Sequence, residues 1–275
     1  VFPPVDIRLT EPPKVVVTSP RDRIQRSDDV LVDPHVTRSE REEIERRLLE
    51  DDNLAAIVID IGGVATYPAT VNDARGLRDT LRTAAHEWLH HYFFFKSLGQ
   101  NMFDTAEMQI INETVADIAG DEIADLAFEH LKAELDGQIP GANVDAAAER
   151  VDTRASESGG FDFDLEMRET RLRADELLAL GRIDEAEAYM ERRRQLFVSN
   201  GYLICKLNQA FFAFNGTYAE NSASASPIGS QLRRLRNLIP DLSAFVKTMA
   251  GVGSYQEFLD TLDQTERLVR ETAGA

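Results

Sequence analysis

The run His86-Glu87-Trp88-Leu89-His90 constrains this chain more than any other feature, because it lies in a stretch whose apolar periodicity is helical from Asn72 to Leu98. On a helix, residues four apart share a face, so both imidazoles reach one metal ion while Glu87 sits beside them. An apolar stripe of Leu77, Leu81, Ala85 and Leu89 runs next to the pair, with Thr83 alongside. His91 points about 100° away and reads as a surface residue, or one bracing a ligand, rather than a ligand. Tyr92-Phe93-Phe94-Phe95 makes the end of the helix apolar on every side, as expected of a helix buried in a core.

A catalytic zinc takes three protein ligands and a water, so a third donor must come from elsewhere in the chain. The segment Asn112-Glu113-Thr114-Val115-Ala116-Asp117 offers one. Residues 91–112 leave room for the first helix to end near Gly99 and a second to begin near Asp104. Glu113 and Asp117 are then one turn apart: Glu113 coordinates the metal, and Asp117 accepts the free ring N–H of one ligand histidine, fixing its tautomer. Glu107 and Glu122 compete for the ligand role, but neither has an Asp four residues on.

With H-E-x-x-H and a downstream N-E-x-x-[SA]-D, the chain resembles the gluzincin metallopeptidases. The pattern is similar to that of thermolysin-like enzymes, and its E-x-x-A-D portion to the HtpX-like membrane peptidases. The likeness covers residues 74–130. It implies a zincin-like core and one Zn2+ held by His86, His90 and Glu113. It also implies Glu87 as general base and a peptide or protein as substrate. In zincins the strand before the metal helix lies along the cleft and pairs with substrate; here that segment is Val64-Ala65-Thr66-Tyr67-Pro68, where Pro68 suits an edge.

One element of the family pattern is missing. Thermolysin-like enzymes use a later histidine to stabilise the oxyanion, and the five histidines here, His35, His86, His90, His91 and His130, provide none. A tyrosine is the natural replacement, its phenol being a neutral donor at pH 7. Tyr202 and Tyr218 are the candidates, and Tyr218 is favoured because it lies in the loop Asn215 to Ala219. The aminopeptidase signature G-x-M-x-N is also absent, which points to an endopeptidase.

The rest of the chain is predicted to be mainly α (α+β), with a small antiparallel sheet. Residues 1–38, with their early prolines and the run Val15-Val16-Val17-Thr18, read as an extended arm with one strand. A capping box of Ser39 and Glu42 opens a charged helix. Leu54–Ile61 and Val64–Val71, separated by Gly62-Gly63, read as a hairpin, and residues 39–134 as the catalytic core. Residues 135–163 read as a linker. Residues 164–275 form a helical C-terminal part that opens with an αα-hairpin, turning at Gly181 and re-entering helix at Asp184. Tyr202–Phe214 reads as a buried helix, with Cys205 packed inside it. More helices follow a loop at 215–230.

Composition excludes several function classes. With 30 basic against 48 acidic side chains, the net charge is -18. Such a chain lacks the basic footprint of a nucleic-acid or anionic-membrane binder. No apolar run is long enough to cross a membrane. One cysteine rules out an intrachain disulfide. The sequons at Asn112 and Asn215 read as fortuitous. A start at Val1-Phe2-Pro3-Pro4, without Met, fits a trimmed or processed chain and leaves an extracytoplasmic protein with a removed leader or anchor open. Two other functions compete with peptide hydrolysis: a catalytically inactive zincin-fold scaffold, and hydrolysis of a non-peptide amide. Glu87 beside both histidines favours chemistry over the scaffold.

Overall fold

The β-branched run at Val15 is the centre of a sheet. It lies in β2 (Lys14–Pro20), which pairs antiparallel with β3 (Asp29–Val32) on one side and with β4 (Leu54–Asp60) on the other, Val16 facing Val30 and Val58. With β1 (Ile7–Leu9), the first 38 residues hold three strands where the sequence predicts one. A computed structural model describes residues 2–27, 29–74, 76–138 and 161–273, so most of the predicted linker at 135–163 lies outside the described residues. Two short strands, β5 (Gly63–Val64) and β6 (Ala69–Val71), complete the set. The helices in chain order are α1 (Arg38–Asp52), α2 (Leu77–Phe94), α3 (Ser97–Gln100), α4 (Ala106–Gln138) and α5 (Phe163–Ala179). They continue with α6 (Ile183–Ser199), α7 (Gln209–Asn215), α8 (Ile228–Leu238), α9 (Leu242–Ala250) and α10 (Tyr255–Ala273). The chain is mainly helical, as the sequence predicts.

The chain forms two compact units, each drawn from separated segments. One comprises the described residues within Val1–Pro12, Gly62–Val151 and Pro227–Ala275; the other those within Pro13–Ile61 and Asp152–Ser226. The contiguous blocks expected from sequence are therefore interleaved.

In the second unit, Val15, Val17 and Ile57 pack with Ala210, while Met167, Ala174, Met190 and Phe197 of the αα-hairpin share a core with Phe212 of α7. Gly181 takes φ +71 at the hairpin turn, a conformation that only glycine adopts at little cost. Arg182, not Asp184, is the N-cap of α6; Asp184 lies in the first turn, where a carboxylate suits the positive end of the helix. The capping box of α1 is Thr37 with Glu40, two residues earlier than predicted: each residue bonds the other's backbone N–H, so the first turn is satisfied before Ser39. The predicted helix over 202–214 shrinks to α7, because the Asn208 side chain caps Phe211 N–H and starts the helix there. Cys205, left in the irregular stretch, is exposed and not packed.

The expected hairpin of Leu54–Ile61 with Val64–Val71 does not form: the first run belongs to the second unit and the other to the first. All of β4 is matched by β2, in register from Lys14↔Asp60 to Pro20↔Leu54. Pro68 interrupts the second run, so β5 folds back on β6 (Gly63↔Val71, Val64↔Thr70) and β6 pairs in parallel with β1. The result is a second small sheet of order β1-β6-β5. Gly76, at φ 92, turns the chain into α2. Leu89 and Phe93 are fully buried along α2, but Phe94 and Phe95 are exposed, against the prediction of an end apolar on all sides and buried throughout. Phe95 instead meets Phe2, ring centroids 5.2 Å apart. The N-terminal half of α4 is buried on nearly every face, with Met108, Ile111, Val115, Ala116, Ile118 and Ala119 almost wholly hidden.

Candidate metal centre

Helices α2 and α4 pack side by side in opposite directions, joined by a ladder of polar pairs. Arg78 stands 3.4 Å from Asp125, Arg82 Nη2 donates to Asp121 Oδ2 at 2.8 Å, His86 Nδ1 lies 3.0 Å from Asp117 Oδ1, and His90 Nε2 lies 3.4 Å from Glu113 Oε2. Every step is four residues forward on one helix and four back on the other. That is the period at which side chains recur on a helix face. The site is the histidine end of this seam, whose other end is a pair of ordinary arginine–aspartate bridges.

At that end three donor atoms converge. His86 Nε2 and His90 Nε2 are 2.9 Å apart, and Glu113 Oε2 is 3.4 Å from each. Donors held about 2.1 Å from one ion at the tetrahedral angle stand about 3.4 Å apart, which the two Glu113 separations match while the two imidazole nitrogens stand closer together. With Asp117 accepting from Nδ1, His86 Nε2 faces the other two donor atoms. The His-His-Glu group can therefore hold a metal ion. Helix packing allows it: a β-carbon at Gly120 would stand only 3.2 Å from the His86 backbone nitrogen, so a glycine there lets α4 approach the ligand closely.

The charges respond to this crowding. Burial opposes charge on His86, yet its bonds to Asp117 and Glu113, with Glu87 nearby, hold its pKa well above the ordinary value. Burial would likewise raise Glu113, but the charges and hydrogen bonds of His90 and His86 keep its carboxyl well below the usual carboxylate range. Glu87 goes the other way: it is buried, and desolvation pushes its pKa up despite the pull of His86 and His90. Two glutamates in one site are thus driven apart, one toward permanent charge and one toward proton exchange.

The strand β5 lies against Glu87. A β-carbon at Gly63 would meet Glu87 Oε1 and Thr83 Cγ2, each at 2.7 Å. Val64 is at the edge of the small sheet, but Ala65 and Thr66 leave it: Thr66 N–H donates to Val64 O at 2.8 Å, and Thr66 O accepts from His91 Nε2 at 2.7 Å. His91 is buried, not on the surface. Tyr218 belongs to the second unit, where its ring meets Phe214 edge-on at 5.7 Å, and Tyr202 lies there against Phe163 with the rings tilted and their centroids 4.5 Å apart. Asn112 is 1% exposed, and its amide donates to Leu98 O, which leaves no room for a glycan.

Several residues of the seam went unnoticed in the sequence: Arg78, Arg82, Asp121 and Asp125, with Gly120. The signal for the first four was available, since Arg78-Arg82-His86-His90 and Glu113-Asp117-Asp121-Asp125 are two opposite-charge series of period four. Compared with protein-family models, curated proteins and solved structures, the chain matches none of them.

Proposed function

We propose that this chain is a zinc-dependent peptide hydrolase of gluzincin type, built on a zincin-like core. The observation that carries this reading is the buried Glu87 carboxylate beside three converging donors, two imidazoles and one carboxylate, the donor set that suits zinc when one position stays open for water. When bound, zinc acts as a Lewis acid toward water and the scissile carbonyl.

The residues of the chain do the rest. Glu113, held fully charged, balances the ion and leaves the proton work to Glu87. Glu87, its pKa raised by burial, accepts a proton from the attacking water and returns it to the leaving amine, a transfer favoured when the carboxyl titrates closer to neutrality. Asp117 keeps the His86 ring in one tautomer. With no aminopeptidase signature, internal peptide bonds are the expected targets.

The experiment is cleavage of a quenched fluorescent peptide library by metal-loaded wild type and Glu87→Gln, with metal content measured on both. Wild type should cleave internal bonds, lose activity to a chelator and regain it with zinc. Glu87→Gln should keep its metal and lose about 10²–10⁴-fold in kcat, the contribution of a positioned general base. Equal activity in the two proteins would remove Glu87 from its role, and a zinc-replete wild type that cleaves no peptide would overturn the reading.

A further inference from the structure

Thr83, Glu87 and His91 are successive turns of one stripe on α2, next to the stripe that carries His86 and His90. The segment from Gly62 to Thr66 lies along it. A β-carbon at Gly62 would sit 3.4 Å from Thr83 Oγ1, and one at Gly63 would touch Thr83 and Glu87 together. Three residues on, Thr66 O meets His91 Nε2 at 2.7 Å. The segment therefore follows the helix from Thr83 to His91 and covers Glu87 on the way.

His91 holds its end of this segment by a bond of fixed sense. A carbonyl oxygen only accepts, so His91 donates from Nε2, which fixes its tautomer and removes that nitrogen from metal binding. Its Nδ1 is buried without a hydrogen-bond partner among the described residues, so the single bond to Thr66 is what the imidazole supplies. The next residue, Tyr67, rests its ring edge-on against His91 at 5.5 Å and is 63% exposed. The other tyrosines of this unit are occupied: Tyr92 stacks on Trp88, and Tyr255 Oη donates to Gln231.

We propose that His91 is a positioning residue for the site: by holding the Thr66 carbonyl one turn beyond Glu87, it keeps the Gly63–Tyr67 segment as a wall over that carboxylate and presents the Tyr67 ring to an incoming peptide. The peptide half of this statement rests on the proposed hydrolase function; the clamp half does not. The unpaired edge of β5 at Gly63–Val64 then has a fixed position beside the base, and an extended substrate meets the Tyr67 ring just past it.

The test uses the full chain with His91→Phe, His91→Gln and Tyr67→Ala, all zinc-loaded. His91→Phe keeps a ring of similar size but no donor, whereas the glutamine amide restores one. Amide hydrogen exchange over residues 63–71 should speed about tenfold in His91→Phe, the loss of one hydrogen bond, and return to the wild-type rate in His91→Gln. On peptide, KM should rise about tenfold in His91→Phe with kcat and metal content held, and recover in His91→Gln, as expected when one positioning bond is lost. Tyr67→Ala should raise KM without altering exchange. Unchanged exchange in His91→Phe would overturn the clamp, and exchange changes with KM unmoved would overturn its role toward substrate. A wild type that keeps its zinc but cleaves no peptide would sink the hydrolase reading and the substrate role with it, while the exchange arm still decides the clamp.

Discussion

Gly120 packs directly on the backbone of His86: a β-carbon at position 120 would lie 3.2 Å from His86 N and 3.3 Å from His86 Cα. The face of α2 that carries His86 and His90 is thus set by an absent side chain on α4. Gly120→Ala should raise helix propensity by about 1 kcal/mol, which offsets the tight contact and leaves the melting temperature nearly unchanged. Gly120→Val should overpack the seam at a cost of about 1–3 kcal/mol and displace His86 from the other two donors. Thermal melts alongside zinc titrations check this; a valine variant with wild-type affinity would mean that the helices separate without moving the histidine.

Glu113→Ala should strip the site of most of its metal, whereas Glu107→Ala should not, because Glu113 Oε2 lies 3.4 Å from both imidazoles and Glu107 is exposed at the first turn of α4. Elemental analysis of the purified proteins decides it. The opposite order would reassign the third ligand.

Asp117→Asn should leave the three donors in place but weaken metal affinity about 10–100-fold, the usual effect of removing the carboxylate that orients a ligand histidine. The reason is the 3.0 Å approach of Asp117 Oδ1 to His86 Nδ1. Competition with a chelator of known affinity measures it, and an unchanged constant would show that the His86 ring is held by packing alone.

Asp60 gives a pH signature in the second unit. Burial raises its pKa, but hydrogen bonds and charge from Lys14 and Arg41 outweigh that and leave it below the ordinary value. A carboxyl with a depressed folded-state pKa stabilises the fold above its unfolded pKa of about 3.9 and loses that contribution as pH falls through the folded value. Wild type should therefore exceed Asp60→Asn by about 0.2–1 kcal/mol from pH 7 to pH 5, as for a solvent-screened pair, with the gap closing below about pH 4. Urea melts across that range test it, and a gap that persists to about pH 2.5 would mean that shape, not charge, makes the difference.

The convergence of His86, His90 and Glu113 was legible because each helix shows its own period: four residues bring two histidines to one face, and Glu113 and Asp117 repeat that spacing on the partner. Partners in β pairing were not legible. Leu54–Ile61 and Val64–Val71 each look like strands, but periodicity does not say that β4 pairs with Val15–Val17, some forty residues earlier, and that β5 turns back on β6. Glycines were misread for a similar reason. Gly62-Gly63 has the composition of a tight turn, yet Gly63 is small because Glu87 and Thr83 occupy the space of its β-carbon, a contact between distant positions that no local pattern encodes. The exposure of Cys205 and Phe94 follows from where helices end, and those ends are set by single bonds such as Asn208 to Phe211 N–H.

The interleaving of the two units has a consequence for synthesis. The helix that carries Glu113 also carries Glu122, which holds Arg236 on α8 through two hydrogen bonds of 2.8 and 2.6 Å, and α9 and α10 belong to the same unit. A ribosome that has released every residue of the H-E-x-x-H motif and Glu113 has therefore not yet made Pro227–Ala275, the last segment of the unit that supports them. Metal capture should be a late event in the life of the nascent chain, and a product ending at residue 226 would display the complete motif to any reader of sequences while lacking the helices that pack behind it.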